Sequence, residues 1–220
     1  MGGHLAGEVA SEMAVDRLDS RLPAASLSTR DDLVSAINEA NVEIYNASVE
    51  NPDQAGMGTT ITAIAVVDDP HDGEVFAVAN VGDSRSYVLR HNRLRQVTID
   101  HSFVQELVAE GAISREDART HPRRNIVTRA LGIEPFVRVD SWTMPIIRAD
   151  RFVLCSDGLV DEVPDEFIRQ ILTDRPDDPT AAAQALDAPG GDAMGGWTNR
   201  IGLLLIDVDR FTQLKATLGP

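Results

Sequence analysis

The residues with the clearest potential for chemistry lie in the stretch Val153–Asp161, where an apolar run ends in Ser-Asp-Gly. A buried strand that stops at an aspartate can hold the carboxylate at the rim of a sheet, because the glycine that follows permits a tight turn. The same pattern also occurs where an aspartate caps an ordinary turn. The stretch alone therefore leaves both interpretations of Asp157 open.

Other short motifs accompany this stretch in a fixed order along the chain. They are Met1–His4 with Gly7 and Glu8, Gly56–Thr60, Asn80–Arg85, Thr98–Ser102, and His121–Asn125 followed by Thr128–Gly132. In this order and at these distances the set resembles the metal-dependent protein phosphatases of type 2C, most closely their bacterial members. The resemblance covers nearly the whole chain. Each motif alone is weak, but the ordered set is highly specific.

The resemblance implies a serine/threonine phosphatase with a two-metal centre of Mn²⁺ or Mg²⁺, ions that prefer oxygen ligands. Two such ions about 3.5–4 Å apart activate a shared water for attack on phosphorus. Asp157 matches a ligand of this core. Asp100 matches an aspartate that helps to hold a third metal near the flap, and its position also fits a helix N-cap. Asp161 would support that metal or its water shell, or is a solvated loop acid.

Cationic side chains in the motifs that carry the resemblance could act on the phosphate group of a substrate. His4 matches the histidine that sits near the metal-bound water and can pass a proton to the leaving group. Arg123, Arg124 and Arg129 could attract phosphate, but arginines in such segments more often form surface ion pairs, and ion pairing is the prediction for each. No substrate-binding residue is assigned.

The first motif departs from the family pattern, which reads Asp-Gly-Met-Gly-Gly-His, because this chain begins at the methionine. The bridging aspartate, the glycine carbonyl that binds a metal, and the preceding strands with their phosphate-gripping arginine are not present. We therefore expect a domain that is incomplete at its N-terminus, with in-frame codons for Asp-Gly upstream of Met1.

The segment Gly195–Arg200 departs as well, since it reads Gly-Gly-Trp-Thr-Asn-Arg where the family has Gly-Gly-x-Asp-Asn. Counting from the glycines puts Thr198 at the aspartate position, and counting back from Asp207 puts Asn199 there. The second register is preferred, because a slip by one residue would reverse the faces of the strand. Either way a metal-ligating carboxylate is absent, and Asn199 would hold a divalent ion more weakly.

Composition limits the class of protein. A chain of 220 residues fits one domain with a substantial core. The net charge of −15 argues against a nucleic-acid partner. Cys155, the single cysteine, excludes an intrachain disulfide and fits a reducing cytoplasm. No apolar run approaches the roughly 20 residues of a membrane span, and no signal peptide is evident.

Apolar periodicity predicts a mixed succession of helices and strands. Helices are predicted at 5–22, at 31–50 with Ser28 or Thr29 as N-cap, near 103–108, from 114, at 165–172 and at 180–188. Strands are predicted at 59–67, 74–81, 84–90, 93–98, 137–144, 151–156 and 201–208. A turn is predicted at Pro70–Gly73, and a short hairpin at His91-Asn92 joins the third and fourth strands. Residues 101–132 are polar and rich in arginine, which predicts a flap. A glycine-rich loop is predicted at 189–196 and a partial helix or tail at 209–220.

These patterns favour antiparallel sheets in a mixed α+β chain, and the resemblance implies a four-layer α-β-β-α sandwich of two antiparallel sheets, here lacking its N-terminal strands. The phosphatase domain is predicted to span residues 1–208, with the tail at 209–220. The predicted function is hydrolysis of phosphoserine or phosphothreonine in proteins by a monomer, impaired in this chain, with a cognate kinase as a further predicted partner. The rival hypothesis is an inactive relative that binds a phosphoprotein or kinase.

Overall fold

The computed structural model describes residues 5–21, 29–192, 203–207 and 212–216. The chain forms two compact units, each built around one antiparallel sheet. The first comprises residues 1–83 and 100–145, and the second comprises residues 84–99 and 146–220. Two antiparallel sheets in a mixed α+β chain confirm the predicted fold class. Among the described residues, no helix has the length and apolar character needed to cross a membrane.

Two long helices form one side of the first unit. They are α1 (Leu5–Arg21) and α2 (Arg30–Glu50), close to their predicted bounds. Thr29 is the N-cap of α2, and a capping box joins it to Asp32. The predicted apolar stripe of α2 is buried at Leu33, Ile37 and Ile44, together with Ala40. This stripe packs with Ala10 and Ala14 of α1 against the sheet.

The sheet of the first unit has the order β1-β2-β5, with β1 (Ile61–Asp69), β2 (Gly73–Val81) and β5 (Asp140–Pro145). β1 and β2 form a hairpin, and β2 lies antiparallel to both of its neighbours. The turn between β1 and β2 is the predicted one, since Asp69 Oδ1 accepts hydrogen bonds from the backbone of His71 and Asp72. β5 begins three residues later than predicted.

The segment predicted as a flap contains two short helices, α3 (Phe103–Ala109) and α4 (Arg115–Thr120). A helix was predicted to start at Ser114, and Ser114 is the N-cap of α4, joined to Asp117 by a capping box. α4 buries no residue, as expected of a flap. The far end of the segment differs from the prediction, because Leu131 is fully buried in the core of the first unit.

The sheet of the second unit has the order β4-β3-β6-β7-β8. Its strands are β3 (Arg85–Arg90), β4 (Arg93–Gln96), β6 (Arg151–Cys155), β7 (Leu203–Asp207) and β8 (Thr212–Ala216). The predicted hairpin between β3 and β4 is confirmed, and His91 and Asn92 both have positive φ. The prediction for 209–220 was wrong in part, because β8 pairs with β7 where a partial helix or tail was expected.

Three helices accompany the second sheet: α5 (Asp157–Glu162), α6 (Asp165–Asp174) and α7 (Pro179–Asp192). Buried side chains of α5, α6 and α7 form one core with Tyr87, Val153 and Cys155 of the strands. The predicted loop at 189–196 was wrong in its first half, since α7 continues to Asp192. The remainder of that loop lies outside the described residues.

Candidate functional site

Asp157 lies at the end of a strand that is buried along its whole length. All five residues of β6 are buried, Ser156 is half-buried, and Asp157 is exposed. The carboxylate of Asp157 therefore meets solvent at the point where a fully buried strand ends. This is the rim position that the sequence predicts for Asp157.

The local backbone after β6 differs from the predicted tight turn. Asp157 is the first residue of α5, and Ser156 occupies the N-cap position without a side-chain capping bond. Gly158 is thus a helical residue, not the glycine of a turn. Acidic residues are favourable in the first turn of a helix, because the backbone N–H groups there carry partial positive charge. A negatively charged Asp157 is therefore compatible with its position in the first turn of α5.

Asp161 also belongs to α5 and is not a loop acid, which corrects one of the two interpretations. It lies four residues after Asp157 and is exposed. Residues four apart share one face of a helix. The two carboxylates are therefore neighbours on the same surface of α5, an arrangement that concentrates negative charge and favours a cation.

The core behind Asp157 fixes its position. Leu159 and Val160 of α5 are buried and pack in the core of the second unit. The Tyr87 hydroxyl in the same core donates to Asp165 Oδ1 at 3.3 Å and accepts from Arg85 at 3.1 Å. Burial raises the pKa of Tyr87, so its hydroxyl stays protonated. Asp157 is thus carried by a helix anchored in packed apolar side chains.

Asp100 lies in the first unit, just before α3, and is 9% exposed. The N-cap of α3 is Ser102, whose side chain accepts from Gln105 N. The alternative of Asp100 as the N-cap was therefore wrong. The assignment of Asp100 to a third metal stays a prediction.

His101, next to Asp100, is the centre of a hydrogen-bonded cluster in the first unit. Its Nδ1 accepts from Gly82 N at 2.9 Å, and its own backbone N–H donates to Gly82 O at 2.9 Å. Its Nε2 lies 3.1 Å from Asp140 Oδ2 and 2.8 Å from Arg129 Nη1. Arg129 donates to Asp140 Oδ1 at 2.8 Å. One buried imidazole thus joins the end of β2, the start of β5 and the loop that carries Arg129.

The partners of His101 determine its protonation. Because Nδ1 accepts from a backbone N–H, the neutral ring carries its proton on Nε2 and donates it to Asp140. Burial lowers the pKa of His101, the positive charge of Arg129 lowers it further, and the hydrogen bond to Asp140 only partly opposes them. Burial alone would raise the pKa of Asp140, but hydrogen bonds from His101 and Arg129 outweigh it and hold that pKa below its usual value.

The arginines of the flap have different partners. Arg129 forms the predicted ion pair, but with the half-buried Asp140 and not at the open surface. Arg123 lies over the Phe103 ring, 4.2 Å from its centroid, where an ion pair was predicted. Arg124 is exposed.

The described residues do not complete a metal centre by themselves. Within residues whose side chains the structure describes, no three His, Cys, Asp or Glu side chains are grouped closely enough to hold a metal ion. His4, Thr198 and Asn199 lie outside the described residues. The chemistry of Asp157 and Asp161, two exposed oxygen donors on one helix face, is that of Mg²⁺ and Mn²⁺ ligands, but their number falls short of a closed site.

The sequence prediction did not assign the His101 cluster. Thr98–Ser102, Asn80–Arg85 and Thr128–Gly132 were noted as separate motifs, and the structure joins them through His101. The motif Gly56–Thr60 also meets Thr128–Gly132, because Thr59 and Leu131 exchange two backbone hydrogen bonds. A carbon added at Gly58 would lie 2.8 Å from Leu131 O. Several of the motifs are thus parts of one packed arrangement in the first unit.

Comparison with known proteins places these observations in a family context. A family model described as Protein phosphatase 2C matches residues 1–107. The serine/threonine phosphatase stp of Listeria monocytogenes is 46% identical over 177 residues, which are 78% of this chain and 68% of that protein. The serine/threonine protein phosphatase PstP of Mycobacterium tuberculosis is 43% identical over 179 residues, 78% of this chain and 32% of that protein.

Solved structures show the same architecture. The serine/threonine phosphatase of S. agalactiae matches 94% of this chain and 84% of its own, with a TM-score of 0.81 and 34% identity. The catalytic domain of PstP in complex with two manganese ions matches 86% of this chain and 77% of its own, with a TM-score of 0.68 and 36% identity. The fold is therefore shared with proteins named as serine/threonine phosphatases.

Proposed function

The chain belongs to the protein phosphatase 2C family of metal-dependent serine/threonine phosphatases, and from this premise we propose that it hydrolyses phosphoserine or phosphothreonine in proteins with a metal-activated water. The identity of 46% with the Listeria phosphatase supports this proposal. The manganese bound in the related PstP structure supports Mn²⁺ or Mg²⁺ as the cofactor. When bound, such ions would lower the pKa of a coordinated water and so supply the nucleophile.

The observation that carries the proposal is the placement of Asp157. An exposed carboxylate follows a fully buried strand and is held by a helix whose next two apolar residues are in the core. A ligand in such a position keeps its geometry without help from the ion. We assign Asp157 to the metal core and His4, by resemblance, to proton transfer to the leaving group.

The proposed centre is weaker than that of its relatives. The family's aspartate after Gly-Gly is replaced here by Thr198 or Asn199. A neutral amide or hydroxyl oxygen neutralises no charge on a divalent cation, so the ion is held less tightly. We therefore propose a phosphatase with reduced metal affinity and slow turnover.

The experiment that tests this function is Mn²⁺-dependent hydrolysis of a phosphothreonine peptide by the 220-residue chain and by Asp157→Ala. We expect slow hydrolysis that requires Mn²⁺ and disappears in the variant. Asp174→Ala is the matched control, because Asp174 is an exposed acid at the end of α6 and should leave the rate unchanged. Hydrolysis that survives Asp157→Ala would refute the assignment.

The second candidate function is a relative that binds a phosphoprotein or a kinase without cleaving it. The replaced carboxylate at 198–199 favours this candidate, since a centre that fails to retain metal has no nucleophile. The two candidates differ in one measurement: the binding candidate retains a phosphothreonine peptide intact in the presence of Mn²⁺, and the enzyme releases inorganic phosphate.

The partners, oligomeric state, location and third metal are proposed from the resemblance to the family. We propose phosphorylated proteins and a cognate serine/threonine kinase as partners, a monomeric state, a cytoplasmic location, and a phosphatase domain over residues 1–208. A third metal near the flap, with Asp100 and Asp161 as its candidate ligands, also belongs to the proposal. Cys155 is buried and is the single cysteine of the sequence, so it forms no intrachain disulfide, which supports a reducing compartment.

A further inference from the structure

The hairpin of β3 and β4 carries an unusual concentration of positive charge. Residues 84–99 contain four arginines and one histidine and no aspartate or glutamate, in a chain of net charge −15. From this hairpin we propose a binding groove for an extended acidic segment of a protein partner. The inference does not rest on the phosphatase activity, because it concerns a separate surface of the second unit.

The strand register places the cationic residues on one face. Val88 pairs with Arg95, and Arg90 pairs with Arg93. Side chains alternate between the faces of a strand, so these four share one face, while Tyr87, Leu89 and Leu94 of the other face pack in the core. The shared face and the turn line a groove of about 480 Å³, formed by Val88, Arg90, His91, Arg93 and Arg95. This basic groove has a buried valine as its floor and cationic walls.

The charges of the basic groove are not balanced within the hairpin. Arg90 is neutralised by Asp150, which is fully buried. Arg93 and Arg95 are exposed, and neither forms an ion pair with any residue that the structure describes. Like charges directly opposite each other on paired strands are destabilising, and Asp150 offsets only the Arg90 charge of the Arg90–Arg93 pair. Among the described residues the charges of Arg93 and Arg95 have no counter-charge, and an acidic ligand would supply one.

The hairpin is held rigidly by the rest of the second unit. Asn92 Oδ1, in the turn, accepts from Arg169 at 2.9 Å and from Thr173 at 2.7 Å, both on α6. Arg90 is fixed by two hydrogen bonds to Asp150. A binding surface that is already ordered loses less entropy when a ligand binds. The basic groove is therefore preorganised for binding.

The position of the basic groove in the sheet separates it from Asp157. Arg85 pairs with Cys155 at the end of β6 that leads to Asp157, whereas Leu89 pairs with Arg151 at the other end. The turn of the hairpin therefore lies at the opposite end of β3 from the Asp157 end. A peptide bound in the groove would leave Asp157 accessible.

Charge on an edge strand also has a simpler role, which is to prevent edge-to-edge association. β4 is an edge strand of the described sheet. Preventing edge-to-edge association requires charge on β4 alone. The proposed groove also uses Arg90 and His91, which lie outside β4, and the cavity that these residues help to line. Peptide binding distinguishes the two roles.

The test is fluorescence anisotropy with a labelled poly-glutamate peptide that carries no phosphate, on the 220-residue chain. We expect measurable affinity that falls as the ionic strength approaches about 0.15 M, because exposed charges are then screened. Arg93→Glu and Arg95→Glu should each weaken binding about tenfold or more. Arg30→Glu, an equal change in net charge at the exposed start of α2, should leave the affinity unchanged. Circular dichroism spectra establish that each variant is folded.

Three results would overturn the inference. The first is that all three variants bind the peptide with the same affinity as the unmodified chain. Tighter binding of a single-stranded oligonucleotide than of the peptide is the second, and it would assign the groove to nucleic acid. A change in oligomeric state of Arg93→Glu without a change in peptide affinity is the third, and it would assign the groove to a second copy of the chain. Mn²⁺-dependent hydrolysis of p-nitrophenyl phosphate, measured in parallel, tests the proposed function separately.

Discussion

At the scale of single residues, His101 shows how a structural histidine can lie inside a motif of a metal enzyme. It is buried, it accepts a backbone N–H from Gly82, and it donates to Asp140. A second proton on Nδ1 would place two donors against each other and break the bond to Gly82. Neutral His101 is therefore the form that the first unit requires.

This protonation gives a testable pH dependence. The folded pKa of His101 lies below the value of 6.5 expected for the unfolded chain. The unfolded state then binds more protons between the two values, so stability is complete above about pH 6.5 and declines as the pH falls toward the folded pKa. We predict that chemical denaturation yields a lower free energy of unfolding at pH 5 than at pH 7.5.

The matched variants for this measurement are His101→Gln and His71→Gln. The first should lower stability at pH 7.5 and flatten the dependence between pH 5 and 7.5, since the titrating group is gone. The second removes an exposed histidine of the β1–β2 turn and should keep the slope of the unmodified chain. A slope that persists in His101→Gln would assign the dependence to another group.

At the scale of elements, the junction between β2 and β3 is the point where consecutive strands pass from one sheet to the other. The sequence predicts consecutive strands, and the structure places β2 in the first sheet and β3 in the second. Gly82 lies at this junction with φ of +110°. A carbon added there would collide with the Thr60 side chain. Both the backbone conformation and the close packing therefore require glycine.

Two glycine substitutions separate these requirements. Gly73→Ala, at φ of +71° with no atom within 4 Å of the added carbon, should cost about 1–2 kcal/mol of stability from backbone strain. Gly82→Ala adds the collision with Thr60 and should cost about 1–3 kcal/mol more. Urea denaturation of both variants checks the difference. Equal losses would mean that the first unit relaxes around Thr60.

The β3–β4 hairpin offers a second test at this scale. Asp150 is fully buried and neutralises Arg90, whose side chain is 30% exposed. Asp150→Ala should lower stability by about 1–3 kcal/mol, since Arg90 loses its partner but still reaches water. Asp174→Ala, which removes an exposed acid at the end of α6, should have little effect. Equal unfolding free energies of the two variants would show that the Arg90–Asp150 pair contributes nothing.

Much of the element order was predictable, because the signals are local. The apolar stripe of α2 and its Thr29 cap, or the turn at Asn92, depend on neighbouring residues alone. α5 was not predicted, because a six-residue helix after Ser-Asp-Gly has the composition of a turn. β8 was not predicted, because a strand that is ordered by pairing with β7 carries little periodicity of its own.

At the scale of the whole molecule, the sequence predicted where Asp157 lies but not the cluster that joins the separate motifs. The position of Asp157 at the end of a buried strand follows from the sequence of β6. The role of His101 did not, because its partners Gly82 and Asp140 are 19 and 39 residues away. Contacts of that separation are set by the pairing of strands, which a single sequence does not specify.

The central claim is that Asp157 binds metal in a centre weakened by the loss of a carboxylate at 198–199. The most direct measurement is calorimetric titration of Mn²⁺ into the unmodified chain, Asn199→Asp, Thr198→Asp and Asp157→Ala. We predict that Asn199→Asp raises Mn²⁺ affinity about tenfold or more, equivalent to about 1.4 kcal/mol, that Thr198→Asp does not, and that Asp157→Ala abolishes binding. Unchanged affinity in both Asn199→Asp and Asp157→Ala would contradict the account.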